Sequence, residues 1–225
     1  MTEPSRRLRI AVLGGAGKEG SGLALRWAHA GHHVVVGSRV AERAEAGAQE
    51  LNAILGRDVV RGTDNKTAAE QAELVVLTVP YVAQRPLVEE VREALHGKIL
   101  IDVTVPLVPP KVSRVQLPEG GSAVVAIQKL LGADVRVVSA FQNISAQHLK
   151  HLGETIDCDV LICSDDKEAA ELVVGLAREI GLGAFNAGVL ANSVVAEALT
   201  SVLITLNQRY KVPGSGIRIT GVPRD

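Results

Sequence analysis

Apolar and polar positions follow two rhythms in this chain: short β-branched runs, and longer stretches with helical spacing. Leu8 to Leu13 is a short apolar run ending in glycines, which predicts a first strand. Ser21 to Ala30 predicts a helix that packs through Leu23, Leu25, Trp27 and Ala28. His33 to Gly37 reads as a strand and Ala41 to Leu55 as an Ala- and Glu-rich helix. Val59-Val60 is a weak third strand and Thr67 to Ala72 a short helix. Leu74 to Val79 is a strong strand, Val82 to Leu95 a helix, and Ile99 to Val103 a fifth strand. Units spaced this way make βαβ crossovers and a parallel sheet covered on both faces.

Pro106, Pro109, Pro110 and Pro118 break the rhythm, so 106–121 reads as a loop. Ser122 to Leu131 (helix), Val135 to Ala140 (strand), Asp159 to Cys163 (strand), Lys167 to Ile180 (helix) and Gly183 to Asn186 (short strand) follow. A long helix, Asn192 to Tyr210, carries Val195, Leu199, Val202, Leu203 and Leu206 at helical spacing. Pro213-Gly214-Ser215-Gly216 beyond it cannot be helix interior. A soft boundary near residue 140 divides the chain into 1–140 and a smaller part, 141–225.

Composition narrows the options. The chain has 225 residues, 47% of them hydrophobic, and a net charge of -1. It is too apolar for disorder and has no basic footprint for nucleic acid. One Trp, two Tyr and two Phe are too few for a base-stacking platform. Cys158 and Cys163 read as unbridged core thiols in a reducing cytoplasm. No apolar run is expected to reach the ~20 residues of a membrane helix. Ser5-Arg6-Arg7-Leu8 has a twin-arginine look, but the apolar stretch behind it is short and ends at Lys18-Glu19. It reads instead as a first strand.

The chemistry concentrates at strand ends. Gly15-Ala16-Gly17-Lys18-Glu19-Gly20 follows a strand, opens a helix and leads to a second strand, the context that gives a dinucleotide fingerprint its meaning. Gly15 permits the tight turn, Gly17 lets backbone approach a pyrophosphate, and Gly20 lets the helix pack close to the sheet. The helix N-terminus then faces the anion. The second strand ends in Val36-Gly37-Ser38-Arg39, without the acid that holds a ribose 2′-hydroxyl. Arg39 can fork onto a 2′-phosphate, with Ser38 and Arg43 beside it, which selects NADP. Val79-Pro80-Tyr81, the run from Asp102 to Pro106 that includes Val105, and the run from Ala140 to Ala146 end further strands and line the nicotinamide half. No histidine is placed as a general acid or base. His29, His32, His33 and His96 lie in helices or turns, and His148 and His151 read as a solvated pair rather than a metal site. Asn207 and Lys211 invite comparison with a dehydrogenase Lys/Asn pair, but in the wrong order, so Lys211 reads as surface.

These residues resemble the NADPH-dependent coenzyme F420 reductases (F420H2:NADP oxidoreductases). The similar stretches include Leu13-Gly14-Gly15-Ala16-Gly17, Val35-Val36-Gly37-Ser38-Arg39, Val105-Pro106-Leu107-Val108-Pro109, Ser139-Ala140-Phe141-Gln142-Asn143-Ile144 and Ala187-Gly188-Val189-Leu190-Ala191-Asn192. The resemblance implies an α/β, Rossmann-type doubly wound, mostly parallel sheet with a smaller C-terminal part ending in a long helix. It implies a cytoplasmic homodimer whose partners are small-molecule cofactors, with hydride passing directly between NADP(H) and the deazaflavin of coenzyme F420. Its NADP positions fall on Ala16, Gly17, Lys18, Glu19, Ser38, Arg39 and Arg43, with Val79, Tyr81 and Val105 near the nicotinamide. Its deazaflavin positions fall on Ile144, Ala146 and Ser215; the cations that hold the acidic F420 tail are left open, with Arg209, Lys211 and Arg218 near the matching C-terminal segment as candidates. Archaeal members have Thr at the Ala16 position, Lys at Arg43, and His-Thr-Ile-Pro-Ala where this chain has Gln142-Asn143-Ile144-Ser145-Ala146. Hydride transfer between heterocycles needs orientation and dryness, so no catalytic side chain is expected. A reductase of another small electrophile (imine, quinone or ferric chelate) and a non-catalytic NADP sensor remain alternatives.

Overall fold

The computed structural model describes residues 6–153 and 155–223; Ser5 of the arginine pair motif lies outside them. Eight strands form one sheet: β1 (Arg9–Leu13), β2 (His33–Ser38), β3 (Val60–Asp64), β4 (Leu74–Leu77), β5 (Ile99–Asp102), β6 (Arg136–Ser139), β7 (Asp159–Ser164) and β8 (Gly183–Asn186). Their spatial order is β3-β2-β1-β4-β5-β6-β7-β8. All neighbours are parallel except β6 and β7, which are antiparallel. The helices are α1 (Lys18–Ala30), α2 (Ala41–Leu55), α3 (Asn65–Gln71), α4 (Tyr81–Glu90), α5 (Ala123–Leu131), α6 (Ala146–Leu149), α7 (Lys167–Glu179) and α8 (Ser193–Tyr210).

The period of two along each central strand builds two cores. Ile10, Val12, Val76 and Ile101 face one side with Leu23, Trp27 and Val173, while Ala11, Leu13, Val75 and Leu100 face the other with Leu87, Leu95 and Ile127. Each fully buried large aliphatic side chain stabilises the fold by about 1.5–3 kcal/mol, so both faces are anchored independently. Trp27 meets Phe141 edge to face at 5.7 Å, which joins the last helical turns of α1 to the chain just beyond β6.

Several boundaries differ from the sequence reading. The third strand runs through the polar Arg61–Asp64, because it is a sheet edge and is fixed by its register with β2 rather than by apolar residues. Gly62 permits this: a Cβ there would stand 2.2 Å from the Ala44 carbonyl carbon of α2. The helix expected over Val82–Leu95 is α4 followed by a 3-10 turn, Arg92–Leu95. The break falls at Val91 (φ -99°, ψ 7°), and the tighter turn still buries Leu95. β4 stops at Leu77, and Pro80 caps α4. Chain beyond residue 140 adds β7 and β8 to the same sheet.

One expectation is corrected outright. Leu190–Tyr210, a 3-10 turn plus α8, is long and apolar enough by length and composition to cross a membrane, an 18-residue window of it having mean hydropathy 1.3. Pattern reading missed it because Glu197 and several Ser and Thr residues interrupt the run. In the fold Glu197 is buried and hydrogen bonded, and Val195, Val202 and Leu206 form an exposed apolar face. Both cysteines are buried and unbridged, as expected.

Candidate functional site

The chain winds outward from β1 to β3, then crosses to β4 on the other side of β1. That reversal opens a crevice at the C-terminal strand ends, where open α/β sheets bind ligands. Between β1 and α1 the glycines have distinct tasks. Gly14, not Gly15, holds the left-handed conformation (φ +73°). Gly15 is required for space, since a Cβ would lie 2.6 Å from the Val12 carbonyl oxygen. Gly20 brings α1 onto the sheet: its Cβ would come within 2.4 Å of Thr78 Oγ1 and 2.7 Å of Gly15 Cα. At Gly17, the N-cap of α1, the nearest contact is the Gly14 carbonyl oxygen at 3.2 Å, and the outer side is open. The free N–H groups of the first helical turn point into that opening. Among the predicted residues, the loop thus brings together Gly15, Ala16, Gly17, Lys18 and Glu19.

Glu19 has an unusual position. The residue keeps partial exposure while its carboxyl group is enclosed by protein, and this loss of hydration pushes its pKa up to about 8. At neutral pH it is therefore mostly uncharged and does not repel an anion at the helix N-terminus.

At the end of β2, Ser38 Oγ accepts the Val40 N–H at 3.3 Å and shapes the turn into α2. Arg39 and Arg43 are exposed. Among the described residues neither is held by a carboxylate, despite Glu42 and Glu45 nearby. Val79 and Tyr81 are half-buried at the head of α4, Pro80 is exposed, and Val105 is half-buried beyond β5.

The crevice floor holds a polar group that the sequence reading named only as the start of the Asp102–Pro106 run. Asp102, the fully buried last residue of β5, accepts Gln84 Nε2 at 2.6 Å and the Thr104 N–H at 2.9 Å. Burial raises its pKa to about 6. Gln142 Nε2 donates to the Asp102 carbonyl and to Ser139 Oγ, both at 2.8 Å, which links the ends of β5 and β6. The available signal was an aspartate closing an otherwise apolar strand.

On the far side of β6, Ile144 and Ser215 meet in a pocket of about 180 Å³ shared with Gln142, Thr200, Leu203 and Asn207. Its lining contains no ionisable side chain. Ala146, placed with them by the sequence, instead opens α6 and does not line this pocket. The tail folds back as a strap. Ser215 N–H donates to Asn207 Oδ1 at 2.7 Å, Ile217 accepts the Asp159 N–H at 2.8 Å, and Arg218 pairs with Asp157. His148, expected in solvent, bonds through Nε2 with the Gly214 carbonyl at 3.1 Å, and His151 lies beyond α6. Lys211 caps α8 and is exposed. Among the described residues no cluster could hold a metal ion.

A larger cavity of about 520 Å³ lies at the opposite edge, between Arg9, His33, Asp58 and Arg61. Arg9 and His33 start β1 and β2, and Asp58 and Arg61 flank the start of β3, so this cavity lies at the N-terminal strand ends, away from the glycine loop, and it is not the crevice.

Residues 9–106 match the family model for coenzyme F420-dependent NADP oxidoreductases. The F420-dependent NADP reductase of Methanothermobacter marburgensis is 44% identical over 223 residues, covering 96% of this chain and 100% of the relative. That of Methanocaldococcus jannaschii is 39% identical, with 96% and 99% coverage. The chain belongs to this reductase family. A crystal structure from Arthrobacter sp. FB24, provisionally described as an F420-dependent NADP-reductase, superimposes with a TM-score of 0.79 at 25% identity, covering 95% of this chain and 99% of that one. The stretch matched by the F420-dependent family model spans β1 to the loop after β5, the part that carries the glycine loop and the Ser38–Arg43 turn. Outside it, α8 is locked to α5 by the buried Glu197, which accepts Ser122 Oγ at 2.6 Å and the Ala123 N–H at 2.8 Å. Burial raises the pKa of Glu197 as well.

Proposed function

We propose that this chain transfers hydride between NADP(H) and coenzyme F420. The observation that carries this reading is the placement, at one sheet edge, of an anion-ready glycine loop, an acid-free β2 end with two exposed arginines that no carboxylate among the described residues holds, and a pocket walled by Ile144 without an ionisable group. The loop fits a diphosphate, since a Cβ at Gly14 or Gly15 would fill the turn that lets its backbone approach the ligand. When bound, the two cofactors supply the chemistry, a hydride exchange between nicotinamide C4 and deazaflavin C5.

The protein's residues bind, orient and exclude water. Backbone N–H groups at Ala16, Lys18 and Glu19 hold the pyrophosphate, that of Gly17 being donated to the Gly14 carbonyl at 2.9 Å, and a largely protonated Glu19 leaves that charge unopposed. Ser38, Arg39 and Arg43 hold the 2′-phosphate. Val79, Pro80, Tyr81 and Val105 border the nicotinamide, while Ile144 and Ser215 border the deazaflavin. In this reading residues 1–140 bind NADP and 141–225 close the second pocket. The protein works in the cytoplasm as a homodimer, with the apolar face of α8 at Val195, Val202 and Leu206 as the contact.

Absorbance at 420 nm, followed with NADPH and purified protein, tests the assignment. Bleaching of F420 supports it. Turnover of imines, quinones or ferric chelates in place of F420 would replace it with a reductase of another electrophile. NADPH binding with no acceptor reduced would leave a sensor.

A further inference from the structure

Arg26 sits in the middle of α1 and is 6% exposed. Its guanidinium donates to the carbonyls of Leu149 (2.9 Å), His148 (3.0 Å), His151 (2.7 Å) and Ile180 (2.8 Å). Three of these four acceptors lie within 148–151, directly after the segment that holds Ile144. One turn earlier on α1, Gly22 lets the same segment in, since a Cβ there would lie 2.5 Å from Leu149 Cβ. One residue later, Trp27 packs edge to face on Phe141, which is fully buried in a left-handed conformation (φ 72°) that non-glycine residues seldom adopt. Both flanks of Ile144 are therefore held by the helix whose first turn forms the cofactor loop.

We propose that Arg26 is a positioning residue for hydride transfer. Through its carbonyl contacts, and together with Gly22 and Trp27, it fixes the Phe141–His151 segment relative to the glycine loop, and so sets how far the second ring stands from the nicotinamide. The planar guanidinium suits this task because its several N–H groups hold diverging carbonyls in one rigid fan, which a single ammonium cannot do. The proposal rests on the reading of Ile144 as a wall of the second-ring pocket. The ring separation matters because a displacement of about an ångström costs up to a hundredfold in rate.

The test compares Arg26→Met, Arg26→Lys and Gly22→Ala with the unaltered protein. Three quantities are measured: NADPH affinity, single-turnover F420 reduction with both cofactors saturating, and amide hydrogen exchange across 141–151 without cofactor. Arg26→Met is expected to lose exchange protection in 141–151 and to slow transfer by about tenfold or more, with NADPH affinity within about twofold. Arg26→Lys should recover part of both losses. Gly22→Ala should reproduce them with the guanidinium still present, and it decides the matter if Arg26→Met does not fold. Lost protection with an unaltered transfer rate would reduce Arg26 to a structural role and overturn the proposal. An equal loss of NADPH affinity would overturn it too, because α1 itself would then have moved. If the unaltered protein does not reduce F420, the functional reading fails, while the exchange data still show whether Arg26 holds the segment.

Discussion

Gly20→Ala puts the glycine-loop geometry to a quantitative test. The new Cβ would stand 2.4 Å from Thr78 Oγ1, 2.7 Å from Gly15 Cα and 3.1 Å from the Gly14 carbonyl oxygen. Thr78 cannot turn aside freely, because its hydroxyl donates to the Leu13 carbonyl at 2.8 Å. The other two neighbours are backbone. Ordinary contact begins near 3.4 Å, so the first turn of α1 must recede by about 1 Å. Overpacking of this kind costs about 1–3 kcal/mol, or about 2–12 °C of melting temperature in a chain of this size. The same displacement withdraws the N–H groups at the head of α1, so NADPH affinity should fall by about tenfold or more, equivalent to about 1.4 kcal/mol. Gly175→Ala is the control. Gly175 lies inside α7 with nothing within 4 Å of the new Cβ, and its replacement should stabilise by about 0.5–1 kcal/mol. Calorimetry and titration of NADPH fluorescence measure both variants. A Gly20→Ala protein that melts and binds NADPH like the unaltered one would refute the close packing described here.

Arg39→Ala should weaken NADPH binding by about 1.5–3 kcal/mol, the range for a charge-assisted hydrogen bond, and leave NADH nearly unchanged. Equal losses in parallel titrations would remove the 2′-phosphate assignment. Asp102 has a folded pKa of about 6 against an ordinary 3.8. Between those values the unfolded chain releases this proton first, so its contribution to stability falls with rising pH by about 3 kcal/mol and the loss is complete above about pH 6. Asp102→Asn should abolish that part of the slope, and urea unfolding of both proteins at several pH values reads the difference. Glu197→Ala strands the Ala123 N–H in the interior, while the Ser122 hydroxyl keeps Ser193 and the Val125 N–H, and should cost about 1–3 kcal/mol, with Glu197→Gln costing less. A melting point unchanged by Glu197→Ala would mean that α8 is not locked to α5 by this carboxyl.

The central βαβ rhythm was legible because buried parallel strands leave continuous apolar runs, as in Leu74–Leu77 and Ile99–Asp102. The edge strand β3 was only half legible, since Arg61–Asp64 is specified by pairing with β2 and by the space at Gly62. In the glycine loop the motif was visible, and Gly15 was read as permitting the tight turn, but Gly14 before the motif is the residue with positive φ. Sequence spacing names the glycines, whereas the turn geometry decides which of them carries positive φ. Asp102 was named only within the run that ends β5, and neither Glu197 nor Arg26 was given a role. The partners of Glu197 and Arg26 are remote in sequence, with Arg26 and Ile180 separated by 154 residues, so no local pattern could signal them. Ile144 and Ser215, 71 positions apart, were joined by family resemblance alone, and they line one pocket, a proximity that periodicity could not supply.

The anchors along α8 set a limit on how this chain can change over generations. Glu197 reaches α5, Thr200 Oγ1 donates to the Gln142 carbonyl at 2.8 Å, Thr205 Oγ1 to the Ser113 carbonyl at 2.9 Å, and Asn207 Oδ1 accepts from the tail. These partners belong to four different parts of the molecule. Each added or missing helical residue turns everything beyond it by about 100° and moves it by about 1.5 Å. A point substitution breaks one of these ties, but a one-residue insertion or deletion between 197 and 207 misaligns all those on one side of it together. Length within that interval is therefore under stricter selection than the identity of any single residue in it. Lineages that diverge in α8 are expected to do so by exchange of side chains, with no gaps.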